Sequence, residues 1–107
     1  MTNLADSKRL VVKVGSALLA MDDGQLRTDW LDALAQDIAA LRHSGAEVMV
    51  VSSGAIAVGR RVLGLARGPR NRVLRLDESQ AAAATGQVQL AHAWQNALAR
   101  HDVSVAQ

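Results

Sequence analysis

Apolar residues in this chain fall into two short unbroken runs and several longer stripes, separated by polar links that carry most of the glycines. Residues 1–8 are mainly polar and expected to be flexible. The run Leu10-Val11-Val12-Lys13-Val14 follows and stops at Gly15-Ser16. Both of its faces are apolar apart from Lys13, which predicts a buried strand. Met21 to Gly24, with two aspartates and a glycine, reads as a turn. Thr28 stands where it can cap a helix reaching about His43, with Asp29 and Asp32 well placed near its positive end. Leu31, Leu34, Ala35, Ile38 and Leu41 form a stripe of helical period, and Gly45 supplies the usual stop. A second run, Val48-Met49-Val50-Val51, comes directly after. Strand, helix and strand in that order make a βαβ unit with parallel strands and a right-handed crossover.

Ser52-Ser53-Gly54-Ala55 then leads into Ile56-Ala57-Val58-Gly59 and a further helix. Residues 66–75, with Gly68 and Pro69, read as a loop. Asp77 to Ala84 reads as helix, and a longer helix is expected from Gln87 to about Arg100. Its stripe is Val88, Leu90, Ala91, Trp94 and Leu98, in which Trp94 is a packing residue. Val103 and Val105 open an alternating pattern that predicts the start of a third parallel strand. The expected class is α/β: a partial three-layer α/β/α sandwich with a mainly parallel open sheet. Residues 9–107 would be the first part of one domain, cut short at its end.

With 107 residues the chain has room for one domain, which should bury somewhat over roughly 60% of its unfolded surface. Half the residues are hydrophobic, yet there is no Phe or Tyr and only two Trp, so the core is aliphatic. Twelve basic against ten acidic residues leave a net charge of +2, which makes no case for nucleic acid or a membrane surface. Arginines are concentrated between Arg60 and Arg75, with no acidic residue before Asp77. That run reads either as a solvated loop or as a surface facing phosphate or an acidic partner. Nucleic acid is not expected, since no aromatic residue is interleaved to stack bases. The lack of cysteine excludes disulfides and thiolate metal sites. No apolar stretch is long enough for a membrane span, and no signal peptide is recognisable, so a cytoplasmic location is expected.

Open parallel sheets hold ligands beyond the carboxyl ends of their strands. Two loops occupy that place, Lys13-Val14-Gly15-Ser16 and Ser52-Ser53-Gly54-Ala55. Both combine glycine with hydroxyl residues, where backbone N–H groups can approach an anion. Lys13 is a charge in an apolar run. Either its ammonium snorkels to water from the strand end, or it reaches a site and neutralises a phosphoryl group. Neither loop is a Walker A sequence, and Gly54 and Gly59 lack the third glycine of a dinucleotide fingerprint. His43, His92 and His101 do not have metal-ligand spacing, so no metal site is assigned.

Leu10-Val11-Val12-Lys13-Val14-Gly15-Ser16 resembles the first strand and loop of the amino acid kinase superfamily. Val50-Val51-Ser52-Ser53-Gly54-Ala55-Ile56-Ala57-Val58-Gly59 narrows the resemblance to the glutamate 5-kinases. Ala82-Ala83-Ala84-Thr85-Gly86-Gln87 and Leu63-Gly64 are similar to segments of the same enzymes. The resemblance covers essentially residues 9–107 and implies an amino acid kinase-like fold. It also implies transfer of phosphate from ATP, with Mg2+, to the γ-carboxylate of L-glutamate, the first step of proline biosynthesis. Under it, Lys13 contacts the ATP phosphates as the catalytic cation, and Gly15 and Ser16 belong to the loop around them. Ser53 binds glutamate, flanked by Gly54 and Ala55. Feedback inhibition by proline and a homo-oligomeric full-length protein are family traits.

Asp77-Glu78-Ser79-Gln80 stands where relatives often have a lysine before the Gln and alanines, so no lysine role is assigned there. The aspartate and asparagine that complete the family's glutamate site lie beyond residue 107, as do a second lysine, the adenine-binding segment and any PUA domain. The 107 residues alone are therefore expected to be inactive. Two alternatives stand beside this: a non-catalytic binding or assembly module using an unpaired sheet edge, and another kinase of the superfamily.

Overall fold

The computed structural model describes residues 4–65 and 73–107. Strand β1 (Arg9–Val14) and strand β2 (Glu47–Ser52) pair in parallel, from Arg9 opposite Glu47 to Val14 opposite Ser52. Four helices accompany them among the described residues: α1 (Ser16–Leu19), α2 (Thr28–His43), α3 (Ala55–Val62) and α4 (Leu76–Ala99). The chain is thus α/β with an open parallel sheet, as its hydrophobic pattern indicates. Of the N-terminal segment, residues 1–3 lie outside the described residues, and Leu4–Asp6 make a 3-10 turn. The expected loop at 66–75 falls largely on residues 66–72, also outside them.

One face of the sheet carries the core. Val12, Val14, Val48 and Val50 point toward α2 and α4, where Leu31, Ala35, Ile38, Leu90, Trp94 and Leu98 close around them. The other face is open: Val11 is 68% and Met49 63% exposed. The strands are therefore not buried on both sides as their continuous apolar runs suggest. Apolar sequence allows a second covering layer but does not supply one. Arg9 and Glu47 pair across the open face at 3.1 Å, an exposed contact of little energetic weight.

Other expectations are corrected by tertiary contacts. Thr28 is the first helical residue of α2; the capping position is Arg27, whose side chain makes no capping hydrogen bond. The carbonyl of Arg27 accepts from Leu31 N–H at 2.9 Å, so the helix starts on backbone geometry alone. At the far end Gly45 adopts φ +101, as a glycine stop requires. The two helices expected at 77–84 and 87–100 are one continuous helix, α4, because Gly86 is held inside it by packing against α3. The Glu78 carboxylate accepts from Arg75 N–H at 3.0 Å and fixes its start. Val88 is not on the buried stripe but 67% exposed. Trp94 is buried, as a packing residue should be, although its indole N–H has no acceptor among the described residues.

No third strand forms among the described residues, and none at residues 103–105. Asp102, at φ 58, turns the chain back so that Val103 N–H donates to Leu98 O at 3.1 Å. Val103 and Val105 then rest half-buried against the core without pairing to β2. The His43 ring Nε2 lies 3.0 Å from the His101 carbonyl oxygen, a contact that joins the ends of α2 and α4.

The turn expected at Met21–Gly24 is present, closed by Gly24 N–H donating to Met21 O at 2.9 Å. Gly24 has φ +85, and a Cβ there would overlap the Ala57 carbonyl oxygen on α3. Strain and overpacking act together here, so Gly24→Ala should cost about 2–4 kcal/mol. Urea unfolding checks this; a loss below about 0.5 kcal/mol, the range of neutral surface changes, would contradict the close approach.

Candidate anion and acceptor loops at the strand ends

Parallel pairing brings the carboxyl ends of β1 and β2 to one edge, and both candidate loops begin there. Ser53 N–H donates to Val14 O at 2.9 Å, extending the ladder by one bond past β2 and tying the second loop to the end of the first strand. Gly54 follows with φ +111, a left-handed conformation that costs glycine little. A Cβ on Gly54 would lie 3.8 Å from both Cα and Cβ of Ser16. The two loops are thus in van der Waals proximity through Ser16 and Gly54.

Each sequence-identified residue has a definite place. Lys13 is exposed on the open face of the sheet, opposite Val51 and one residue before the buried Val14. It is not enclosed by apolar side chains, so the strand bears its charge without a buried partner. Gly15 precedes α1 in extended backbone, with nothing within 4 Å of where its Cβ would stand. Ser16 opens α1 and is exposed, as is Ser53. Ser52 Oγ donates to the Ser53 carbonyl at 3.2 Å, while the Ser53 N–H donates to Val14 O. Ala55 opens α3, and Val58 N–H donates to Gly54 O at 3.1 Å, so the second loop passes directly into a helical turn.

Behind the second loop, α3 is held from two sides. On one side α4 touches it backbone to backbone, through Gly59 against Ala82 and Gly86 against Ala55. On the other side the Gly24 turn presses on Ala57 and Arg61. Arg61 also pairs with Asp23 at 3.3 Å. These glycine contacts were not identified from the sequence. Their signal was present in the small residues four apart on each helix, Ala55 and Gly59 facing Ala82 and Gly86.

Of the arginine-rich segment, Arg61 is paired with Asp23, and Arg75 with Asp77 and Glu78 at 3.4 and 3.5 Å. Arg67, Arg70 and Arg72 lie outside the described residues. A cavity of about 350 Å³ between β2, α4 and the final residues is lined mainly by apolar groups such as Ile38, Leu90, Trp94 and Val105. None of the six candidate residues lines it. No group of three or more His, Cys, Asp or Glu side chains among the described residues is placed to hold a metal ion. No helix among them is long and apolar enough to cross a membrane.

The sequence profile of the amino acid kinase family matches residues 8–107. The glutamate 5-kinase of Paramagnetospirillum magneticum is 60% identical over 108 residues, covering 100% of this chain and 28% of the relative. That of Agrobacterium fabrum is 56% identical, covering 97% of this chain and 26% of the relative. Glutamate 5-kinase 1 of Mesorhizobium japonicum is likewise 56% identical, over 94% of this chain and 25% of the relative. The chain spans about a quarter of the length of the curated relatives it matches.

Proposed function

Because the chain belongs to the amino acid kinase family, we propose that its two strand-end loops are the donor and acceptor halves of a phosphoryl-transfer site. In the complete protein this site transfers the γ-phosphoryl group of ATP to the γ-carboxylate of L-glutamate, the opening reaction of proline biosynthesis. The observation that carries the reading is the bond from Ser53 N–H to Val14 O, which seats the second loop beside Lys13 and Gly15-Ser16.

Transfer of a phosphoryl group asks little covalent chemistry of a protein. It needs an acceptor in line with the donor, and positive charge and hydrogen-bond donors on the oxygens that gain charge. Lys13 is free to swing over the strand ends, because it is exposed and four methylenes long. Its ammonium takes the role of the cation on the transferring group. Gly15 leaves its side of the first loop open, which suits the close approach of a phosphate chain. Ser53, with Gly54 and Ala55 beside it, holds the acceptor carboxylate in place. ATP supplies the phosphoryl group, and Mg2+ neutralises phosphate charge when bound. The described residues present no acidic cluster for the ion, so its ligands are not assigned to them.

A substrate panel on the complete protein tests the reading against sister activities. ATP-dependent phosphorylation of glutamate is expected, with acetylglutamate and aspartate poor acceptors. Preference for either of the latter would overturn the assignment. The localisation expected is cytoplasmic, and proline is proposed as an inhibitor of the homo-oligomeric whole.

A further inference from the structure

We propose that Gly86, in the middle of α4, is a positioning residue for the acceptor loop; this rests on the loop assignment made above. A Cβ on Gly86 would overlap the carbonyl oxygen of Ala55 and come within 2.7 Å of Ala55 C and Gly59 N. A Cβ on Gly59 would likewise overlap Ala82 O. The two helices therefore meet with no side chain between them, at points that a single methyl group would force apart. A glycine inside a helix costs about 1 kcal/mol relative to alanine, and nothing about α4 by itself calls for one there. The close approach to α3 does.

Ala55 is the first residue of α3, and Ser53-Gly54 immediately precede it. A methyl group at Gly86 consequently pushes on the root of the acceptor loop, not on a remote part of the helix. Nor can α3 yield by sliding away from α4. Its opposite flank is stopped at Ala57 and Arg61 by the Gly24 turn, which continues from the first loop through α1. The displacement is directed first into Ser53-Gly54 and reaches the first loop only indirectly, through the Ser53–Val14 bond and the proximity of Gly54 to Ser16.

The experiment is steady-state kinetics on the complete protein with each substrate varied in turn. A misplacement near 1 Å can cost up to about a hundredfold, so Gly86→Ala should raise KM for glutamate about tenfold or more. KM for ATP should stay close to the wild-type value. Leu98→Ala, in the core at the far end of α4, serves as a comparably destabilised control with both KM values unchanged. An unchanged KM for glutamate in Gly86→Ala would overturn the proposal, as would an equal rise in Leu98→Ala. Should Gly86→Ala fail to fold, Gly59→Ala, one helical turn further from the loop, carries the same test with a smaller expected rise. If the wild type does not phosphorylate glutamate, the loop assignment fails while the positioning claim is judged on amide exchange at residues 53–58. Faster exchange there in Gly86→Ala, and not in Leu98→Ala, supports it; equal exchange refutes it.

Discussion

Replacing Lys13 by alanine in the complete protein should lower turnover about a hundredfold to a thousandfold, the size seen when one preorganised charge-stabilising donor is lost. Lys13 sits on the exposed face of β1, makes no ion pair among the described residues, and stands opposite Val51 at the strand end. Its removal opens no cavity and strands no buried partner. Stability should therefore change by no more than about 0.5 kcal/mol. The combination is diagnostic: a large loss of rate with an unchanged melting curve. Arginine at the same position should recover only part of the rate, since its planar fork cannot replace a compact ammonium. Near-normal turnover in Lys13→Ala would remove the lysine from the site and leave the first loop without its cation.

The largest expected effect on stability is at Leu90. Its side chain is 2% exposed and lies where α4 faces the sheet, in the cluster that also holds Val14, Leu19, Leu31 and Trp94. Truncation to alanine forfeits the transfer energy of the removed carbons and leaves a void that an aliphatic core refills poorly. The expected loss is about 2–5 kcal/mol. Set against the roughly 5–15 kcal/mol that holds a domain together, this is enough to lower the urea midpoint sharply. Val88, two residues away on the same helix but exposed, should tolerate alanine with a change under about 0.5 kcal/mol. Equal losses at the two positions would mean that α4 presents a different face to the sheet.

That pair of residues also marks how far sequence pattern reaches. Both belong to one apolar stripe when α4 is read as a helix starting at Gln87. Only the packed helix separates them, because it begins at Leu76 and its rotation is set by the contact with α3. The order and parallel pairing of the βαβ unit were legible: two β-branched runs, a stripe of helical period between them, and Gly45 to end it. So were the two candidate loops, since the strand ends of a parallel unit are determined once the strands are. That Val103 and Val105 form no strand was not legible. Alternation at Val103 and Val105 describes which side faces the core, and pairing depends on a neighbouring edge within hydrogen-bond reach.

The chain's own residues, read one after another, determine the α/β class, the order of its elements, the strand ends that carry Lys13 and Ser53, and the family to which it belongs. Tertiary structure alone decides that the second loop is bonded to Val14, that α3 is gripped between α4 and the Gly24 turn, and that one face of the sheet stays open. The division has a physical cause. Periodicity and capping are local and act within a few residues. The approach of one backbone to another across Gly24, Gly59 and Gly86 depends on residues tens of positions apart, and it exists only once the chain has packed.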